Sequence, residues 1–166
     1  MLSGAEEQSG AVYGMLFLRD LTDLLQVRDE YIRSRPILAI VLIDNYDELT
    51  NNLSDAAVSS LSAALDTCVS EWADRYGGLL RRQNYNRFLL MLEAKDLVAI
   101  SADRFSLLES VRSVTNPTGV AATVSIAIGK DGADYREDYA FAALAVDMAL
   151  SRGGDQVVIK DRYDFT

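Results

Sequence analysis

Seven consecutive apolar residues, Ile37-Leu38-Ala39-Ile40-Val41-Leu42-Ile43, constrain the fold of this chain more than any other feature. A strand with one wet face alternates apolar and polar residues, whereas an unbroken run marks a strand buried on both faces. The run ends abruptly in Asp44-Asn45-Tyr46-Asp47-Glu48, so a buried strand delivers a polar turn to the end of its sheet. With 166 residues, the chain has the size of one domain with a full core around that strand.

The remaining elements follow from periodicity and punctuation. Residues 12–18 are apolar and predict a strand. From Leu21 to Ser34 the positions Leu21, Leu24, Leu25, Arg28 (by its stem) and Ile32 predict a helix, closed by Pro36. Ser54 is placed to cap the next helix, whose stripe runs Val58, Leu61, Leu65, Cys68/Val69, Trp72 and Tyr76 and stops at Gly77-Gly78. Strands over 79–82 and 88–92 are close enough to form a hairpin. Leu97/Val98, Ala102, Phe105, Leu108 and Val111 predict a third helix, and 122–129 a strand. Tyr139, Ala143, Val146 and Leu150 predict a fourth helix that ends at Gly153-Gly154, and 156–160 an edge strand. After the leading helix the order is β-α-β-β-α-β-α-β. This predicts an α+β fold: a ferredoxin-like β-α-β-β-α-β core with one added helix and an added edge strand.

Composition removes whole classes of chemistry. The chain has no histidine and one cysteine, Cys68. Ser-His-Asp and Cys-His catalysis, histidine zinc sites and internal disulfides are therefore unavailable within it. A net charge of −9 repels phosphate chains, so no nucleic-acid partner is expected, and it has the wrong sign for an anionic leaflet. No apolar run approaches the roughly 18 residues of a spanning helix, no signal-peptide pattern opens the chain, and a cytoplasmic location is expected.

Two turns are candidate sites. Asp44, at the carboxyl end of a buried strand, is placed to hold Mg²⁺ against phosphates; taken alone, the motif is more simply explained as polar residues ending a strand. The hairpin turn Asn84-Tyr85-Asn86 is accounted for by local hydrogen bonding alone, but the topology puts it on a strand adjacent to the one that ends at Asp44. The pairs Gly77-Gly78 and Gly153-Gly154 both fall at helix C-termini and read as caps.

The element order, Ile43-Asp44 ending the first strand, and a hairpin ending in Phe88 resemble the GGDEF family. The stretch Ala149-Leu150-Ser151-Arg152-Gly153-Gly154-Asp155-Gln156-Val157 resembles more specifically the modified GGDEF domain of GdpP-type cyclic-di-AMP phosphodiesterases. Val12 to Thr22 is similar to the last strand of a PAS domain and its exit. The resemblance covers about residues 12–162. It implies a tail over 1–11, a PAS-derived strand and linker helix over 12–34, and a degenerate GGDEF domain over 35–166.

The departures from the family pattern are specific. Asn84, Tyr85, Asn86 and Arg87 stand where Gly, Gly, Asp/Glu and Glu belong. Glycine there lets the backbone approach a triphosphate, and Tyr85 obstructs it. Asn86 replaces a metal carboxylate, and Arg87 reverses a charge. Asp44 matches the other metal carboxylate. Asn52 matches the Asn of a guanine-reading Asn-Asp pair, but Leu53 replaces the Asp. The phosphate-contacting Lys after the last long helix has no counterpart, and of an Arg-x-x-Asp inhibitory pattern only Arg75 remains, with Gly78 at the Asp position.

The resemblance implies a regulatory domain without diguanylate cyclase activity and with at most weak ATP hydrolysis. Its nucleotide-facing positions would be Asn45, Asp47, Asn52, Asn84, Tyr85 and Asn86, with Asp44 on Mg²⁺. The implied parent is a membrane-anchored phosphodiesterase with PAS and DHH domains. Residues 12–34 are expected to mediate a homodimer. A relay that dimerises and binds no nucleotide is the alternative.

Overall fold

The structure is a computed structural model, and it describes residues 16–166. The elements are α1 (Thr22–Ser34), β1 (Pro36–Ile43), α2 (Tyr46–Thr50), α3 (Asp55–Arg75), β2 (Leu79–Arg82), β3 (Arg87–Glu93), α4 (Asp96–Ala102), α5 (Leu107–Arg112), β4 (Val124–Gly129), α6 (Tyr135–Ser151) and β5 (Val157–Lys160). The sheet order is β2-β3-β1-β4-β5. β1 runs antiparallel to both β3 and β4, and β5 lies parallel to β4. The first four strands have the ferredoxin-like order, and β5 extends the sheet beside β4.

β1 is central, and all of Ile37–Ile43 is buried. Its odd-numbered side chains Ala39, Val41 and Ile43 pack with Leu61, Leu65, Val69 and Trp72 of α3, and with Ile100, Leu107 and Val111 of α4 and α5. Its even-numbered Ile40 and Leu42 pack under Ala142, Ala145, Val146 and Ala149 of α6. The unbroken apolar run is thus explained by helices on both faces, each buried Leu, Ile or Val contributing about 1.5–3 kcal/mol. The alanines let α6 sit close to the sheet, and Gly129 completes that approach. A Cβ there would meet the Asp138 carbonyl oxygen at 1.8 Å.

Local chemistry sets the helix ends. Ser54 Oγ accepts from the Ala57 amide at 3.4 Å. Asp134 accepts from the Arg136 and Glu137 amides, which starts α6 four residues before the first residue of its predicted stripe. Gly77 and Gly153 adopt left-handed conformations just past α3 and α6, as capping glycines do.

Four sequence expectations need correction. The predicted third helix is two, α4 and α5, broken at Arg104 and Phe105, both at φ 53; the apolar stripe continues across the break, so periodicity alone reads it as one. The Asp103 carboxylate at the break accepts from the Tyr76 hydroxyl at 2.8 Å. The turn after β1 contains a further helix, α2, which buries Tyr46 and Leu49 in a single turn too short to show a period. Leu150 is exposed and Ala149 buried, so the stripe of α6 lies one position off at its end. The helix expected from Leu21 to Ser34 is present as α1, and none of its residues is buried. The strand expected over 12–18 lies mostly outside the described residues, and its last three, Leu16, Phe17 and Leu18, are exposed and in no strand.

Candidate functional site

The carboxyl end of β1 is tied on both sides. The Asp44 amide donates to the Thr123 carbonyl at 2.9 Å. The Asn45 side chain clamps the segment before β4, donating to the Ala121 carbonyl at 2.9 Å and accepting from the Thr123 amide at 3.0 Å. On the other side the Ile43 amide donates to the Asn86 carbonyl at 2.8 Å, and the Asn86 side-chain amide donates to the Ile43 carbonyl at 3.4 Å. The two turns singled out from sequence therefore meet, because β1 and β3 are neighbours.

The hairpin tip is held from within. Arg82 donates to the Asn84 and Tyr85 carbonyls at 2.9 and 2.7 Å, pairs with Asp66, and lies 5.5 Å from the centroid of the Phe88 ring. Asn84 Oδ1 accepts from the Asn86 amide at 3.2 Å. Tyr85, half exposed, packs against Tyr46 at the start of α2 with ring centroids 5.1 Å apart and the planes tilted by 50°, and the Tyr46 hydroxyl shares a 2.5 Å hydrogen bond with Ser62. The hairpin is thus latched to α2 by an aromatic pair. Asp47 and Asn52 lie apart from this junction, in a shallow concavity with Glu48, Thr50 and Asn51. Asn52 adopts φ 68, and Leu53 packs against the α3-side core.

Sequence reasoning missed the third wall of the site. The turn after α6 folds onto Asp44: the Asp155 amide donates to Asp44 Oδ2 at 2.8 Å. A Cβ on Gly154 would lie 2.8 Å from the Asp44 carboxyl carbon. Gly153-Gly154 therefore caps a helix and also admits the Asp44 carboxylate. Strand alternation puts Ser125, fully buried on β4, on the same α6-facing side as Asp44. A polar residue inside the otherwise apolar Val124-Ser125-Ile126 was the signal available for it. Asp155 is fixed from outside by Arg112, whose Nη2 lies 2.5 Å from Asp155 Oδ2 while its Nη1 pairs with Glu109 at 2.7 Å.

Burial pushes the Asp44 carboxyl above the usual carboxylate range. The Asp155 amide and the nearby Ser125 hydroxyl oppose this, and the Asp155 charge adds to it. The Ser125 hydroxyl lies beside the carboxylate but is not in hydrogen-bond geometry with it, since Ser125 Oγ, Asp44 Oδ1 and Asp155 Oδ1 are all buried without a partner. Among the described residues no cluster of three or more Cys, Asp or Glu side chains converges as a metal site. A cation here would depend on Asp44, whose buried, unpartnered Oδ1 is a hard oxygen donor suited to Mg²⁺. Arg75, expected in an inhibitory pattern, instead faces Asp103 at 3.7 Å.

Residues 41–165 match the family described as the GGDEF domain of GdpP-like cyclic-di-AMP phosphodiesterases. The chain is 35% identical over 146 residues to the cyclic-di-AMP phosphodiesterase GdpP of Bacillus subtilis (strain 168), covering 88% of this chain and 22% of that one. It is 30% identical over 146 residues to the cyclic-di-AMP phosphodiesterase PdeA of Listeria monocytogenes serotype 1/2a (strain 10403S), with the same coverage. The chain thus spans about a fifth of the length of these curated relatives. The fold is that of the diguanylate cyclase SiaD of Pseudomonas aeruginosa, solved with its activator SiaC: the TM-score is 0.64 at 21% identity, over 82% of this chain and 56% of that one. Among the described residues no helix is long and apolar enough to cross a membrane.

Proposed function

The chain belongs to the GGDEF domain family of GdpP-like cyclic-di-AMP phosphodiesterases, and we propose that it acts in a longer phosphodiesterase as a regulatory domain that binds Mg²⁺ and ATP weakly and makes no cyclic di-GMP. The observation that carries this reading is Asp44, a carboxylate at the mouth of the sheet with one oxygen engaged by the Asp155 amide and the other buried and unpartnered. One carboxylate and a hairpin that offers only the neutral Asn84 and Asn86 can hold a Mg²⁺-triphosphate loosely, in the high-micromolar to millimolar range.

Loss of cyclase chemistry is supported by the hairpin. Phosphoryl transfer to a second nucleotide depends on metals that neutralise the developing charge. The Asn86 side-chain amide is directed to the β1 backbone, and Arg87 follows it where an acidic residue is expected. Preference for adenine over guanine is supported by Leu53, which sits against the core and offers no acceptor to a guanine N–H edge. In this reading a PAS domain precedes the chain, a DHH phosphodiesterase domain follows it, and the domain lies on the cytoplasmic side of a membrane-anchored parent.

Thermal unfolding with Mg-ATP and Mg-GTP tests the reading. A ligand that binds only the folded state at about ten times its Kd adds about 1.4 kcal/mol of stability. Mg-ATP at several millimolar should raise Tm in the wild type and leave Asp44→Ala unmoved; a larger shift with Mg-GTP would contradict the assignment.

A second reading rests on α1. Leu21 at its N-cap and its residues Leu24, Leu25, Val27, Tyr31 and Ile32 are all exposed, and exposed apolar residues at 3-4 spacing suit a helix–helix pairing between two copies. In this reading the domain relays sensor movement through a homodimer and binds no nucleotide.

A further inference from the structure

We propose that Asp155 is the second carboxylate ligand of a divalent-cation site centred on Asp44 and completed by the Ser125 hydroxyl. The inference rests on the reading that Asp44 holds a cation, and it changes which element supplies the second charge. The hairpin that would provide a carboxylate carries Asn86 instead; the turn after α6 provides Asp155.

Three oxygens carry the argument. Asp44 Oδ1, Asp155 Oδ1 and Ser125 Oγ are each inaccessible to solvent and each lack a hydrogen-bond partner. Buried polar atoms are normally paired, and a lone exception calls for a specific explanation. Here three exceptions gather at one place. β4 puts Ser125 on the same side of the sheet as Asp44 and beside its carboxylate. The Asp155 amide on Asp44 Oδ2 holds the Asp155 carboxylate near by, close enough for its charge to act on Asp44. Ser125 is fully buried, so its hydroxyl has no water to turn to.

The donor set selects the ligand. All three atoms are oxygens and two belong to carboxylates, which is the chemistry of a hard divalent cation and not of zinc. Two neighbouring carboxylates repel unless a positive charge lies between them. Arg112 neutralises only the outer oxygen of Asp155, at 2.5 Å, and leaves Oδ1 facing inward. Gly154 is the residue that permits the assembly, because a Cβ would strike the Asp44 carboxylate. A single proton shared by the two carboxylates is the competing way to relieve the repulsion.

Titration of the full chain with Mn²⁺ alone, following free Mn²⁺ by electron paramagnetic resonance without nucleotide, separates cation from proton. Wild type should bind one Mn²⁺, Asp44→Asn should lose it, and Asp155→Asn should weaken it by about tenfold or more. Asn tolerates the φ of 55 that Asp155 adopts. Ser125→Ala, a smaller change, should also weaken binding and serves as the reading if Asp155→Asn folds poorly. The surface variant Asp161→Asn should stay within about twofold of wild type. Unchanged Mn²⁺ binding in Asp155→Asn and Ser125→Ala would overturn the proposal. So would no Mn²⁺ binding by a wild type that still responds to Mg-ATP through Asp44, and that second result would leave the nucleotide reading standing.

Discussion

The backbone amide of Asp155 donates to the side chain of Asp44 at 2.8 Å, across 111 positions of sequence. This bond joins the end of the central strand to the turn after the last helix. Between them Gly154, at φ +75, leaves no room for a side chain. Gly154→Ala combines a left-handed strain with a clash on the half-buried Asp44 carboxylate and should destabilise the fold by about 1–3 kcal/mol. Gly77→Ala, where a Cβ meets nothing within 4 Å, carries only the conformational part. Urea unfolding of the two variants should show the larger loss at Gly154; equal losses would mean that the turn is not packed on Asp44.

The raised pKa of Asp44 has a definite sign in stability. Its folded value lies above the ordinary 3.8, so the folded state holds the proton more tightly than the unfolded chain does. The associated stability is complete below 3.8 and is lost as pH rises through the folded value. With divalent cations chelated, Asp44→Asn should therefore be at least as stable as wild type at pH 7, because Asn keeps an acceptor for the Asp155 amide without a buried charge. The advantage should fade as pH falls through the folded value and be gone below 3.8. Denaturant unfolding at several pH values checks this, and an Asp44→Asn variant equally destabilised at pH 7 and pH 4 would refute it.

α1 buries none of its residues, so polar substitutions on it should alter association and leave the domain intact. Leu25→Glu together with Ile32→Glu should change stability by no more than about 0.5 kcal/mol per site. The same pair should convert a dimer to a monomer by light scattering at tens of micromolar. A wild-type monomer, or a dimer that survives both substitutions and removal of residues 1–33, would end the dimer reading.

Incubation with Mg-GTP should yield no cyclic di-GMP above the level of an Asp44→Ala control, because the hairpin carries Asn86 and Arg87 at the acidic positions. Product above that level, measured by chromatography, would contradict the assignment of the hairpin as non-catalytic.

The sheet was legible because its signals are long. The Ile37–Ile43 run, the α3 stripe from Leu61 to Trp72 and the short hairpin each carry a period or a length that only one element satisfies. The break at Arg104-Phe105 was not legible, since the apolar spacing of Ile100, Leu107 and Val111 runs through it. α2 is a single turn, below the length at which a period can be counted. In the site, the pairing of Ile43, at the end of β1, with Asn86 follows from strand adjacency and could be read ahead. The arrival of Asp155 could not: the capping role of Gly153-Gly154 fully accounts for those glycines locally, and only the three-dimensional packing of α6 shows what their missing side chains admit. Ser125 carried a weak signal, one hydroxyl in an apolar strand.

The most direct measurement is a calorimetric titration of Mg-ATP at millimolar concentration into wild type and Asp44→Ala. Heat that fits a single weak site in wild type and disappears in Asp44→Ala, with both proteins folded by circular dichroism, is the expected result. No heat in the wild type, or heat that persists unchanged without the Asp44 carboxylate, would contradict a nucleotide site built on the end of β1.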